Sequence, residues 1–262
     1  MLADLADTDV DFMEVAPENW IGIGGRFGRR FHDYAERFPV VCHGLSLSIG
    51  SPAPLDVEFV REVADFLREF GVRGYSEHLS FCSDEKGHLY DLMPIPFTEE
   101  AADFVAARVR QVQDIVGQQI ALENVSYYAA PGAEMDELAF VNRVLEKADC
   151  LLLLDVNNLF VNSVNFRYCP YEFLRGLDLK RTAYVHVAGH FQEAPDLTVD
   201  THGAAVASEV WALLVEAYRL LGPVPTLLER DFNFPPLSEL LGEVAHVRAL
   251  QRADATTALE VG

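Results

Sequence analysis

The sequence predicts one α/β domain with the architecture of a TIM-type (β/α) barrel. Strand-like and helix-like segments alternate along all 262 residues, as in a series of βα units. The strand-like segments are near-continuous apolar runs, the pattern of parallel strands covered on both faces. No linker, low-complexity segment or composition break interrupts the series, and a chain of this length fits a single barrel spanning residues 1–262. A doubly wound open sheet is the alternative.

The elements follow in order. VDFMEVA (10–16) reads as a strand and PENWIGIGGRF as a loop. Within that loop, GIGG (22–25) resembles half a phosphate loop, but no GK[ST] follows, so it reads as a flexible turn. VVCHGLSLS (40–48) is a strand broken by SPAP. Residues 55–70 carry apolar side chains at three-to-four spacing, the mark of an amphipathic helix, closed by Gly71. RGYSEHLSF (73–81) is a strand, followed by a long loop to Pro96. Thr98 caps a helix through Val116, with Glu99 and Glu100 favourable in its first turn. QIALENVS is a strand, EMDELAFVNRVLEKA a helix and CLLLLDVNN a strand. Helices around 170–177, over 204–221 and from Pro236 to Arg252 alternate with strands RTAYVHVAGH and PTLLERD. The total is seven strands, one short of a standard barrel.

Composition narrows the function. With 41 acidic and 20 basic residues the formal charge is -21, which repels phosphate backbones and anionic membranes. Neither nucleic acid nor membrane is expected as a partner. Some of the carboxylates are candidates for metal ligands, since buried carboxylates persist when they are paired or coordinate a cation. Cys42, Cys82, Cys150 and Cys169 are widely spaced with no CxxC, and read as buried free thiols rather than a disulfide framework. The acidic N-terminus has no basic n-region, and no run approaches the ~20 apolar residues of a membrane span. A soluble cytoplasmic protein is expected.

The chemistry lies where the apolar runs end. His43, His78, Glu123, Asp155, His186 and Glu229 occupy equivalent points in successive repeats. In barrels of this class the active site is built at the C-terminal rim, where strands become loops. A lone strand histidine is usually a satisfied core residue, and a lone strand-end carboxylate is often a helix cap. Four histidines and four carboxylates at corresponding places, counting the Asp200 and His202 of VDTHG, would need separate explanations, and a shared metal site supplies one. In VDTHG, Asp200 and His202 share a side on an extended segment and could chelate one ion. Asn158 lies at the strand-to-loop turn after Asp155, as ligand, as a group behind the ligands, or as an Asx-turn residue. Mixed imidazole and carboxylate donors without thiolate suit Fe(II), Mn(II) or catalytic Zn(II). Eight or nine donors exceed one octahedral ion and suffice for two or three, with Glu123 or Glu229 as the natural bridge. Glu77 points to the opposite face from His78 and reads as structural. Glu14, Asn19 and His190 are candidate substrate contacts, whereas His32, His88 and His246 read as surface residues.

With these residues placed, the chain resembles the multinuclear non-haem iron-dependent oxidative enzymes. Members include the enzyme of methanobactin biosynthesis, TglH-type peptide enzymes and bufferin maturases. The resemblance rests on EVAPENW, HGLSLSIGSP, SEHLSF, LYDLMPIPFTEEA, LENVSYY, LLLDVNNLFVNSVN, HVAGH, DTHG and LLERDFNFP, in order from residue 14 to about 235. It implies a TIM barrel with two or three irons in mixed Fe(II)/Fe(III) states. It implies ligands at His43, His78, Glu123, Asp155, His186, Asp200, His202 and Glu229; some members carry His where this chain has Asn158. It further implies O₂ as co-substrate, a cysteine-containing precursor peptide as substrate, and a small partner protein that recognises the leader. Glu123, Asp155 and His186 are then the core of the catalytic centre. EVAPENW and LLERDFNFP are nearest the bufferin-maturase branch. Family members usually begin with an extra strand and helix, shortened here to about nine residues, which agrees with the seven strands: either the chain is truncated, or its barrel is open beside the first and last strands. Two other readings fit strand-end histidines and carboxylates: a zinc or manganese sugar isomerase or endonuclease, and a non-catalytic metal- or peptide-binding protein.

Overall fold

The computed structural model describes residues 5–6 and 9–261. The chain divides into two units, Met1–Glu123 with Ala129–Leu151, and Asn124–Tyr128 with Leu152–Gly262.

In the first unit, β1 (Met13–Val15) leads through a 3-10 turn (Pro17–Asn19) to α1 (Gly25–Arg37). In sequence, residues 17–27 read as a loop and residues 28–39 carry no assigned element. Arginines, Asp33 and Glu36 crowd the 13 residues of α1, and its apolar anchor is the buried Phe31. Its second glycine is required by packing: a Cβ at Gly28 would stand 2.4 Å from the Ile23 carbonyl oxygen. Then come β2 (Val40–Gly44), α2 (Val57–Glu69) and β3 (Tyr75–His78). Asp56 caps α2 by accepting from Phe59 N at 3.0 Å, and Gly71, at φ 62, closes it while Val72 N donates to Leu67 O. Val60, Val63, Ala64, Phe66 and Leu67 form its buried stripe.

The expected loop to Pro96 is instead an antiparallel hairpin, β4 (Phe81–Asp84) and β5 (Gly87–Met93). Few of its residues are buried and no apolar run announces it. Next are α3 (Glu99–Val116), β6 (Ala121–Glu123) and α4 (Glu137–Ala148). Thr98 caps α3 as expected, accepting from Ala101 N at 3.1 Å. Thr98→Ala should cost about 1 kcal/mol, read as a lower urea midpoint with unchanged slope. The pairs β1–β2, β2–β3 and β3–β6 are all parallel.

The second unit holds β7 (Leu151–Asp155, from Leu152 onward), α5 (Val156–Phe166), α6 (Pro170–Gly176) and β8 (Thr182–Val187). A hairpin of β9 (Phe191–Ala194) and β10 (Leu197–Val199) precedes α7 (Ser208–Leu221), β11 (Thr226–Leu228) and α8 (Leu237–Val261). β7–β8 and β8–β11 are parallel. Thus seven strands pair in parallel among the described residues, the number the sequence predicts. The turn expected after Asp155 is the first turn of α5, which the sequence hides because Asn157, Asn158 and Asn162 occupy buried helical positions. The strands are also shorter than the apolar runs that predict them, since the runs continue into loops.

Arg175 of α6 donates to Glu216 of α7 at 3.0 Å and holds that carboxyl below its ordinary range. A depressed carboxylate stabilises the fold above its unfolded pKa and loses that contribution as pH falls through its folded value. Glu216→Gln should therefore lower Tm at neutral pH, and the difference from the parent should shrink as pH falls below the ordinary glutamate range and vanish only beneath the lowered folded value. Cys42, Cys82 and Cys150 are buried free thiols, but Cys169, at the N-cap of α6, is exposed. No described helix is long and apolar enough to cross a membrane.

Candidate metal centre

Each predicted strand-end donor stands at or next to the C-terminal end of its strand. In the first unit these are His43 (β2), His78 (β3) and Glu123 (β6). His43 Nε2 is 3.0 Å from His78 Nε2 and 3.0 Å from Glu123 Oε2, and His78 Nε2 is 3.5 Å from the same oxygen. Behind this triangle, His43 Nδ1 lies 2.7 Å from Ser76 Oγ, which in turn donates to Cys42 O at 3.3 Å. A hydroxyl that donates there accepts from Nδ1–H, so the lone pair of His43 rests on Nε2, facing the triangle.

Glu18, which the sequence reading passed over, fixes the turn after His43. Its Oε1 accepts from Leu45 N at 2.8 Å and from Ser46 N and Oγ at 3.0 Å. Glu77 faces away from the triangle, as expected: it is buried and accepts from Tyr75 Oη, and burial, then Glu18, push its pKa up to about 8. Gly44 makes room for it, because a Cβ there would stand 1.9 Å from Glu77 Oε1.

The second unit gathers Asp155, His186, His202 and Glu229. Single donor atoms of Asp155, His202 and Glu229 lie within 4.8 Å of one another. Glu229 Oε2 is 2.9 Å from His186 Nδ1 and 3.3 Å from His202 Nδ1, and His186 Nδ1 is 4.0 Å from Asp155 Oδ2. At those distances Glu229 Oε2 is buried yet has no hydrogen-bond partner. Donor atoms therefore converge on one point rather than pairing as donor and acceptor, an arrangement that repels itself unless a proton or cation stands among them. Burial alone would raise Glu229; the imidazoles of His186 and His202 outweigh it and hold the carboxyl well below its usual range. Burial would likewise lower His202, but Asp200, Asp231 and Glu229 raise it well above the ordinary imidazole value.

Asp200 and His202 do not lie on an extended segment. His202 sits at φ 47, in the left-handed region that a non-glycine residue seldom adopts, and this turns its ring back so that Nε2 meets Asp200 Oδ1 at 2.8 Å. Asp200 is fixed from behind by Ser126 Oγ at 2.9 Å, Asn157 Nδ2 at 2.9 Å and, through its own N–H, Tyr128 Oη at 2.9 Å. His190 joins the same chain: its Nδ1 is 2.8 Å from Asn157 Oδ1, and its ring stacks on Phe160. Burial lowers its pKa, against the pull of Asp200. Asn158 is buried in the first turn of α5, its N–H donating to Asp155 Oδ1 at 2.6 Å. In the first unit Glu14 is half-buried in β1 and Asn19 is exposed at the end of the 3-10 turn. His32, His88 and His246 are exposed, as expected of surface residues.

Asn124 clasps the backbone of Asp155 from both sides, donating to its carbonyl and accepting from its N–H, each at 2.9 Å. Asn124→Ala removes both of these hydrogen bonds to a buried backbone. The expected loss is about 2–4 kcal/mol with weaker metal retention, measured by chemical denaturation and metal titration. No local motif announces Asn124, Ser76, Asn157 or Glu18, because each acts on a residue far away in the chain.

The donor types fit a divalent or trivalent metal with N and O preference, iron included. The comparisons agree with the fold and extend it. A D-tagatose 3-epimerase-like protein aligns with TM-score 0.62 at 12% identity, covering 94% of this chain and 91% of that one. L-ribulose 3-epimerase gives 0.61 at 16%, covering 90% and 82%, and endonuclease IV from Thermus thermophilus gives 0.57 at 16%, covering 95% and 90%. At such identities the likeness concerns fold alone, and that fold is the TIM-type parallel (β/α) barrel. A UPF0276 protein of Shewanella amazonensis is 54% identical, covering 100% of this chain and 95% of the relative, and one of Shewanella sediminis is 57% identical, covering 97% and 92%. The model of the family described as RiPP precursor modification enzyme MbnB/TglH/ChrH matches residues 1–252, and the chain belongs to that family.

Proposed function

We propose that this protein is an O₂-dependent enzyme that oxidatively modifies cysteine residues of a ribosomally made precursor peptide, using two or three iron ions. The observation that carries the reading is the pair of buried imidazole–carboxylate clusters in a member of a peptide-modifying family. His43, His78 and Glu123 would hold metal in one unit, and Asp155, His186, His202 and Glu229 in the other, with Asp200 behind His202. When bound, iron supplies thiolate coordination and O₂ reduction, which neither carboxylates nor imidazoles can perform. The chain's own work is to keep the donors in place. Ser76 sets the tautomer of His43, Asp200 orients His202, and Asn124 holds Asp155. His190, tied to Asp200 through Asn157, is a candidate substrate contact together with Glu14 and Asn19. The family's substrate class makes a precursor peptide the partner, and we place the reaction in the cytoplasm, with a small leader-recognising protein as a second partner.

Likeness to epimerases and endonuclease IV lends those activities no weight, since it concerns fold only. The charge of -21 further disfavours a DNA substrate. Metal analysis and Mössbauer spectroscopy on anaerobically purified protein, followed by O₂ uptake with a cysteine-containing precursor peptide, test the proposal. Iron with both oxidation states, and O₂ uptake that a Cys-to-Ser peptide does not elicit, is the expected result. Zinc or manganese alone, with no iron taken up on reconstitution, would replace it with a hydrolase or isomerase.

A further inference from the structure

A cavity in the first unit, lined by none of the donors of the candidate metal centre, has a chemistry of its own. It measures about 380 Å³ and lies among the 3-10 turn's exit, the N-terminal half of α1 and the second half of α2. Its floor is aromatic. Trp20 stacks on Phe31 at 4.5 Å, and Phe31 meets Phe70 edge-on at 4.7 Å. Phe66 lies behind them, 4.7 Å from Phe70. Its rim carries Glu62, Asp65 and Glu69 on successive turns of one face of α2, and among the described residues no lysine or arginine lines it. His32 stands at the same rim, 3.8 Å from Glu69. The opposite wall is the segment Ile21–Gly24, where a Cβ at Gly22 or Gly24 would meet nothing within 4 Å. The GIGG motif thus leaves this wall open rather than cradling phosphate, for which three carboxylates would be the wrong company.

An aromatic floor under an acidic rim selects a cation with an apolar stem. Ring faces attract cations, guanidinium stacks flat on them, and carboxylates at the rim take its N–H groups. A strongly acidic chain adds long-range attraction of the same sign. We infer that this cavity binds an arginine or lysine side chain of the peptide substrate, at a point apart from the residue being modified. The ligand class rests on the cavity; its assignment to the substrate rests on the function proposed above. Binding there would add affinity and register without touching the chemistry.

Trp20 is one of only two tryptophans, so in a Trp211→Phe background its fluorescence reports on the cavity. The probe is Ac-Gly-Arg-Gly-NH₂, with its citrulline counterpart as a neutral isostere. A saturable change with the arginine peptide, roughly tenfold weaker with citrulline, is expected. It should be lost in the Glu62→Gln/Glu69→Gln variant, whose sites are both exposed, with iron content unchanged. Equal response to citrulline, or full response in the double variant, overturns the inference. A fluorescence change on diluting the protein alone would assign the cavity to a second copy of the chain and overturn it as well. With the precursor peptide, the double variant should raise KM and leave kcat alone; unchanged KM would detach the cavity from the substrate. None of the binding readouts needs iron or turnover, so failure of the oxidase reading leaves them standing.

Discussion

Glu123→Gln purified without oxygen should retain little iron and show no O₂ uptake with a cysteine-containing peptide. The substitution keeps the side-chain volume, so a buried residue changes charge without opening a cavity. What it removes is an anion whose single oxygen faces the Nε2 atoms of both His43 and His78. An amide in its place either turns an N–H toward those imidazoles or offers a weaker neutral oxygen. Loss of an outer partner of a ligand typically costs about 10–100-fold in metal affinity, and loss of a ligand should exceed that. Iron per chain and peptide-dependent O₂ uptake are the two measurements. Full activity with normal iron would remove Glu123 from the centre. Glu85→Gln, on an exposed turn, controls for the loss of one charge in so acidic a chain.

The second large effect concerns stability. Phe140 of α4 is 1% exposed and packs against Phe97 at 5.1 Å, in the interface of α3 and α4. Phe140→Ala should cost about 3–5 kcal/mol, since the ring's burial is lost and helices capped at Thr98 and Asp136 cannot collapse freely into the void. Denaturant melts read this directly. A cost below about 1 kcal/mol would mean that the surrounding side chains relax into the gap. Unlike Glu123→Gln, the change should leave iron per folded chain unaltered.

These two residues differ in how readily the sequence reveals them. Phe140 follows from helical periodicity alone. Glu123 is visible because an apolar run stops at a charge, and the same signal finds His43, His78, Asp155, His186 and Glu229. Strand ends are legible since hydrophobic patterning and a rim position are both local properties. Which donors converge is not local: it depends on strand order and register, so the grouping of His43 with His78 and of His186 with Glu229 had to come from the fold. Helices α1 and α5 were hidden for a different reason. α1 is crowded with charge and buries only Gly28 and Phe31, while buried asparagines interrupt the apolar stripe of α5. The hairpins β4–β5 and β9–β10 carry no continuous apolar run. An extended backbone is the default expectation for a short loop, and tertiary contacts hold His202 at positive φ instead.

Asp155 carries two duties on one carboxyl group. Its Oδ1 caps α5, and its Oδ2 faces the imidazole of His186. Each duty admits its own short alphabet. Asparagine, serine and threonine can cap a helix but bring no negative charge, while glutamate brings the charge on a stem too long for the cap. Aspartate is the only letter common to both lists. Substitution at this position therefore separates the two duties: Asp155→Asn should spare the helix and weaken metal retention, Asp155→Glu should do the reverse, and alanine alone would confuse a lost donor with a frayed helix.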